Sequence, residues 1–172
     1  MNPRRSALVV TAVAVTLLAS AQADAATKHS LDGRRSKTAR YNGDLLGPAI
    51  PVSGATDPTT PALDDCSDET CDIRELTLAL PRQSSSGRFH ATVVIDATLQ
   101  ASLVLYNAKG EVLQQMEGFT SPPSDTGTYV LDIHVERLSR GTYTLALVDR
   151  AGAGNFDATV AWVAHPPSRP QR

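Results

Sequence analysis

The side chains able to carry chemistry in this chain fall into two groups, one of cysteine and acid, the other of histidine. Cys66 and Cys71 are the only cysteines, and Asp64, Asp65, Asp68, Glu69 and Asp72 crowd around them. A pair this close in an exported chain is expected to form a disulfide, because disulfides persist outside the cytoplasm. Closing so short a loop contributes only about 2 kcal/mol, so its role is local: fixing the approach to the strand that begins near Ile73. Crowded carboxylates on a bridged turn are the oxygen donors calcium takes, although the spacing does not match an EF-hand loop. The segment is therefore expected to be a calcium site or a solvated, bridged turn; no other cofactor is indicated. Two thiols without a nearby histidine fall short of a four-ligand zinc site. Their spacing also lacks the two-residue separation of a thioredoxin-type redox pair.

The second group is His90, Asp132 and His134. Each lies on the outward phase of an expected strand, so two imidazoles and a carboxylate on neighbouring strands would make a transition-metal site. The alternative is a set of ordinary solvated side chains. His29 and His165 fall in segments expected to be flexible. Ser84, Ser85 and Ser86 stand between Pro81 and Gly87, where a turn accounts for them. A Ser/His/Asp triad is defined by geometry, which three common residue types do not establish. There is no glycine-rich phosphate loop and no zinc-hydrolase histidine motif.

These residues are carried by a chain that starts as a secretion signal. Arg4 and Arg5 precede Ala7 to Ala19, a run without charge, and small residues at Ala21, Ala23 and Ala25 suit a signal peptidase. As a helix that run spans roughly 20 Å, short of the roughly 30 Å hydrocarbon core. Residues 1–25 are expected to be a signal peptide cut after Ala23 or Ala25, with no transmembrane segment in the mature chain. Cleavage after Ala23 removes Arg4 and Arg5 and takes the formal charge from -2 to -4. Mild acidity argues against nucleic acid, whose phosphates call for a concentrated basic face. Residues 26–40 hold the basic cluster from Lys28 to Arg40. That stretch is polar and aperiodic, expected to be a flexible leader or an electrostatic attachment to an anionic envelope.

The rest alternates. The first strand is expected from Ala39 to Leu46, followed by a Pro-, Gly- and Thr-rich connection to Pro61. Ile73, Leu76, Leu78 and Leu80 are assigned to one face, opposite Glu75 and Thr77. Phe89, Ala91, Val93 and Ile95 oppose His90, Thr92 and Asp96; Leu131, Ile133 and Val135 oppose Asp132, His134 and Glu136. Leu99 to Tyr106, Glu111 to Met116, Thr142 to Val148 and Phe156 to Val163 complete the set. Trp162 is in phase with Phe156, Ala158 and Val160, as a core residue would be. Period two with polar turns describes sheets with one wet face. Such strands bury their apolar sides by packing two sheets together. The expected fold is all-β: a two-layer antiparallel β-sandwich of seven to nine strands, jelly-roll-like or immunoglobulin-like. It should span residues 41–164, with 165–172 a flexible tail.

Three segments resemble the bacterial pre-peptidase C-terminal domain, a β-sandwich that usually follows the catalytic domain of a secreted protease. They are Cys66 to Leu80, Leu103-Val-Leu-Tyr-Asn-Ala-Lys-Gly-Glu-Val-Leu113, and Gly141-Thr-Tyr-Thr-Leu-Ala-Leu-Val148. The resemblance implies a β-sandwich from Tyr41 to Val163 and a free-standing secreted relative. Family members often carry acids just before the second segment; here Leu99-Gln-Ala-Ser102 stands there, so the resemblance implies no metal at that point. The expected function is a secreted, extracellular, non-catalytic binding or structural module acting on a partner protein, a polymer or an envelope component. The alternatives are a small metal-dependent hydrolase using His90, Asp132 and His134, or a protease inhibitor using the Gly118 to Gly127 loop with its Pro122-Pro123 pair.

Overall fold

The computed structural model describes residues 27–34, 37–46, 63, 66, 70–82, 84–117 and 127–166. The strands are β1 (Thr27–Asp32), β2 (Lys37–Leu45), β3 (Cys71–Ala79), β4 (Gly87–Asp96), β5 (Leu99–Asn107), β6 (Val112–Glu117), β7 (Thr128–Leu138), β8 (Gly141–Gly152) and β9 (Gly154–Ala164). They form a two-layer β-sandwich, with no α-helix among the described residues. One sheet has the order β1-β3-β8-β5-β6 and the other β2-β9-β4-β7. Every pairing is antiparallel except β1 with β3, which is parallel.

The period-two pattern assembles the core as expected on the four-stranded sheet. Phe89, Ala91, Val93 and Ile95 of β4, Leu131 and Ile133 of β7, and Phe156, Ala158, Val160 and Trp162 of β9 all face inward. Against them pack Leu76 and Leu78 of β3, Leu99 to Leu105 at alternate positions of β5, and Tyr143, Leu145 and Leu147 of β8. Trp162 is fully enclosed, and its indole Nε1 donates to the Ala79 carbonyl at 3.0 Å, tying the two sheets together. The ring leaves no room beside it: a Cβ on Gly87 would lie 2.6 Å from both the indole and the Val163 carbonyl oxygen. Tyr143, near the start of β8, returns its hydroxyl to the Ser139 carbonyl at 3.0 Å and pins the β7–β8 corner. At the β8–β9 hairpin Gly152 takes φ +91°, where a side chain would collide with Thr98.

Four expectations are corrected. Residues 27–32 and 37–40 are strand rather than flexible leader: Leu31 enters the core, and β1 and β2 form edges of opposite sheets. The sparse apolar residues of that stretch are what an edge strand requires, since only part of one face is covered. Ile73 is out of phase with Leu76 and Leu78, so it points to the other face of its sheet, while Arg74 takes the inner phase. His165 is held rather than loose, its amide donating to the Ser86 carbonyl at 3.0 Å. The outer face of the five-stranded sheet is wet only in part: Cys71, Val104, Tyr106, Ala146 and Val148 form a second cluster, with Leu63, Cys66 and Ile73 against it, while Thr77 stays exposed. The uninterrupted apolar runs Leu103 to Tyr106 and Leu145 to Val148 are the mark of strands buried on both faces.

Candidate binding face on the four-stranded sheet

The wet face of the molecule is the outer side of β2-β9-β4-β7. Strand register sets its side chains in rows. Thr38, Ala161, His90 and His134 form one row across all four strands, and Arg40, Thr159, Thr92 and Asp132 the next. His90 and His134 are therefore direct cross-strand neighbours, with ring centroids 5.5 Å apart. His90 Nε2 lies 2.6 Å from Asp132 Oδ1, and the Thr92 hydroxyl donates to the same oxygen at 2.9 Å. His134 Nε2 pairs with Glu136 Oε1 at 3.0 Å. Asp132 loses a little solvation, which favours its neutral form. The hydrogen bonds from Thr92 and His90 and the two imidazoles outweigh that loss and hold its carboxyl below the usual range.

This geometry limits the chemistry. An ionised carboxylate only accepts hydrogen bonds, so each Nε2 that meets one carries the proton. His90 Nε2 gives that proton to Asp132, and Thr92 Oγ1, 3.3 Å from the same nitrogen, gives its own to Asp132 as well. A catalytic triad needs the hydroxyl and the acid on opposite ring nitrogens; here both meet one. The cluster brings together all three residues singled out from the sequence but leaves both Nε2 atoms committed to carboxylates. Among the described residues, no group of three His, Cys, Asp or Glu is arranged to hold a metal ion.

The acidic bridge has a different outcome. Cys66 and Cys71 are joined, with Cα atoms 5.4 Å apart. Asp64, Asp65, Asp68 and Glu69, and residues 118–126 of the loop singled out for protease inhibition, lie outside the described residues. Asp72 is placed, and both its oxygens are taken by Arg74, one at 2.8 Å from Nε and the other from Nη2. Arg74 lies over the Tyr41 ring at 4.5 Å, and His29 stacks on the same ring at 5.6 Å. Burial raises the Tyr41 hydroxyl pKa, the Asp72 charge adds to the rise and Arg74 opposes it. This stack closes one side of the sandwich and leaves Asp72 little capacity for a cation.

Sequence reasoning passed over one buried group. Asp149 of β8 is 0% exposed, and neither carboxylate oxygen has a hydrogen-bond partner. Burial pushes its pKa up to about 6; the Ala151 amide opposes the rise without meeting either oxygen in hydrogen-bond geometry. Its neighbour Arg150 is also buried and donates from Nε to Ser102 Oγ at 2.9 Å. The available signal was Asp149-Arg150 directly continuing the apolar run Leu145 to Val148.

No family model and no curated protein matches this chain. Among solved structures it is similar to the pre-peptidase C-terminal domain of collagenase from Bacillus anthracis, at 12% identity and TM-score 0.49, covering 79% of this chain and 94% of that one. A β-glucosidase from Paenibacillus barengoltzii is similar at 13% identity and TM-score 0.38; the match covers 79% of this chain but 11% of the enzyme. The Eiger TNF from S. frugiperda is similar at 21% identity and TM-score 0.29, over 52% of this chain and 66% of that one. Likenesses at these levels carry neither family membership nor activity to this chain.

Proposed function

We propose that this protein is an exported, non-catalytic binding module that engages an extracellular polymer or envelope component through the outer face of β2-β9-β4-β7. The observation that supports it is the solvent-open, hydrogen-bonded array of His90, Thr92, Asp132, His134 and Glu136 on a sheet whose rows run across four strands. Strands stand roughly 4.8 Å apart, so such a face offers donors and acceptors at regular intervals to an extended, hydroxyl-bearing chain. The array is held in place before any partner arrives, which lowers the ordering cost of binding. Both Nε2 protons are directed at carboxylates, which favours recognition over proton transfer. Export rests on the basic start, short apolar run and small residues of the first 25 positions.

Sedimentation with insoluble cellulose, chitin and peptidoglycan tests the binding surface. The protein should pellet with at least one of them, and Thr92→Ala/Asp132→Ala should lower retention about tenfold, the loss of roughly 1.4 kcal/mol, without altering the melting temperature. Equal retention of the variant removes this face from recognition; failure to pellet with any polymer removes the polymer. Intact mass of protein from the culture medium should show loss of residues 1–23 or 1–25. A full-length product in the membrane fraction overturns export.

A further inference from the structure

We propose that one end of the sandwich carries a second site, a pocket for a phosphate or sulfate ester group. Three separate segments converge there: Gly33 and Arg34 from the β1–β2 turn, Pro81, Arg82 and Ser84 from the β3–β4 connection, and Ala164, His165 and Pro166 after β9. They line a solvent-open recess of about 370 Å³, at the small end of the range for small-ligand pockets. The proposal is independent of which partner the polar sheet takes.

The walls are fixed by hydrogen bonds between the three segments. Gly33 donates to Ala79 O at 2.9 Å, and Ala164 to Gly33 O at 3.3 Å. The Ser84 hydroxyl donates to His165 O at 2.8 Å, and the His165 amide to Ser86 O at 3.0 Å. The His165 ring is oriented by Nε2, which lies 2.6 Å from the Glu136 carbonyl and must carry the proton there, since a carbonyl only accepts. Asp32 shapes the turn that presents Arg34, its Oδ1 accepting the Arg34 amide at 3.1 Å.

On this rigid frame stand two guanidinium groups. Among the described residues, neither Arg34 nor Arg82 has an ion-pair partner and no carboxylate lines the cavity. The carboxylate that comes nearest in sequence, Asp32, is engaged with backbone. Two cationic forks on different loops suit an anion that accepts from several directions, as a tetrahedral oxyanion does, better than a planar carboxylate, whose lone pairs all lie in one plane. Ser84 has given its proton to His165 O and so supplies no donor. Pro81, Pro166 and Ala164 add apolar surface for the group that carries the ester.

Amide chemical shifts followed during titration of the purified protein with glucose 6-phosphate and, separately, galactose 6-sulfate test the site. Neutral glucose and glucuronate serve as comparisons. A dissociation constant of about 1 mM or tighter is expected for at least one ester, with shifts concentrated at Gly33, Ser84 and His165. Which ester binds identifies the source of the oxyanion. Arg34→Ala/Arg82→Ala should weaken binding at least tenfold with an unchanged melting temperature, and Arg34→Lys/Arg82→Lys should retain part of it. The proposal is overturned if neither ester moves these amides, if glucose or glucuronate moves them equally, or if the alanine variant binds as well as the parent.

Discussion

Asp149 is the position where a single atom change has the largest pH-dependent consequence. Its carboxyl has no exposed area and no hydrogen-bond partner, and its pKa is pushed up to about 6. An unfolded aspartate titrates near 3.9, so the difference of about 2 units corresponds to about 3 kcal/mol. Relaxation and water penetration around a buried charge reduce the cost, so about 2 kcal/mol is the working figure. The sign follows from proton counts. Below about pH 4 the group is protonated in both states and burying it costs no charge. Between about pH 4 and pH 6 the unfolded chain releases its proton while the folded chain keeps it, so stability falls as pH rises and the full cost is present above that window. Asp149→Asn carries no charge at any pH. It should stabilise the protein by about 2 kcal/mol near pH 8, worth roughly 4–8 °C in melting temperature for a domain of this size, and be nearly neutral near pH 4. Urea unfolding of both proteins across that range gives the comparison. A difference independent of pH, or a variant less stable than the parent near pH 8, refutes the argument, because either result means that the ionised carboxylate has a partner in the folded state.

Trp162→Phe deletes one of the two hydrogen bonds to the Ala79 carbonyl, the Gly33 amide keeping the other, and opens space against Gly87, and should cost about 2 kcal/mol in chemical denaturation; a loss below about 1 kcal/mol contradicts it. Cys66→Ala/Cys71→Ala should lower unfolding free energy by about 2 kcal/mol while leaving the β-sheet circular dichroism intact, and loss of that signal would assign the bridge a global role. Thermal melts in calcium and in chelator at matched ionic strength should coincide, since Asp72 is already held by Arg74; a calcium-dependent rise abolished by Asp68→Asn would instead establish a site at the bridge.

The strands of the wet sheet were legible because one face is core and the other is water. Phe89 to Ile95, Leu131 to Val135 and Phe156 to Trp162 keep strict phase, and the same alternation turns His90, Thr92, Asp132 and His134 outward. The first strands were harder. Thr27–Asp32 contributes one fully buried leucine, so its burial signal hardly rises above that of a polar linker. Ile73 misled because hydrophobicity alone does not distinguish two buried faces, and here both are buried. Asp149 gave only the signal of a charged residue continuing an apolar run, since its environment is made by Thr70, Ala101 and Ala151, which come from two other parts of the chain and from the strand's own bulge.

The sequence by itself determined what depends on neighbours within a few residues: strand phase and outward polarity on the four-stranded sheet, the turns and, with only two cysteines, the disulfide partner. Tertiary structure decided what depends on which strands meet. It put His90 beside His134 and Asp132, closed β1 in parallel onto β3, covered the outer face of β5 and β8, and brought Arg34 and Arg82 to one pocket. The reason is physical: alternation is written locally by the pleat, whereas strand order and loop convergence follow from burying two apolar faces against each other over long separations along the chain.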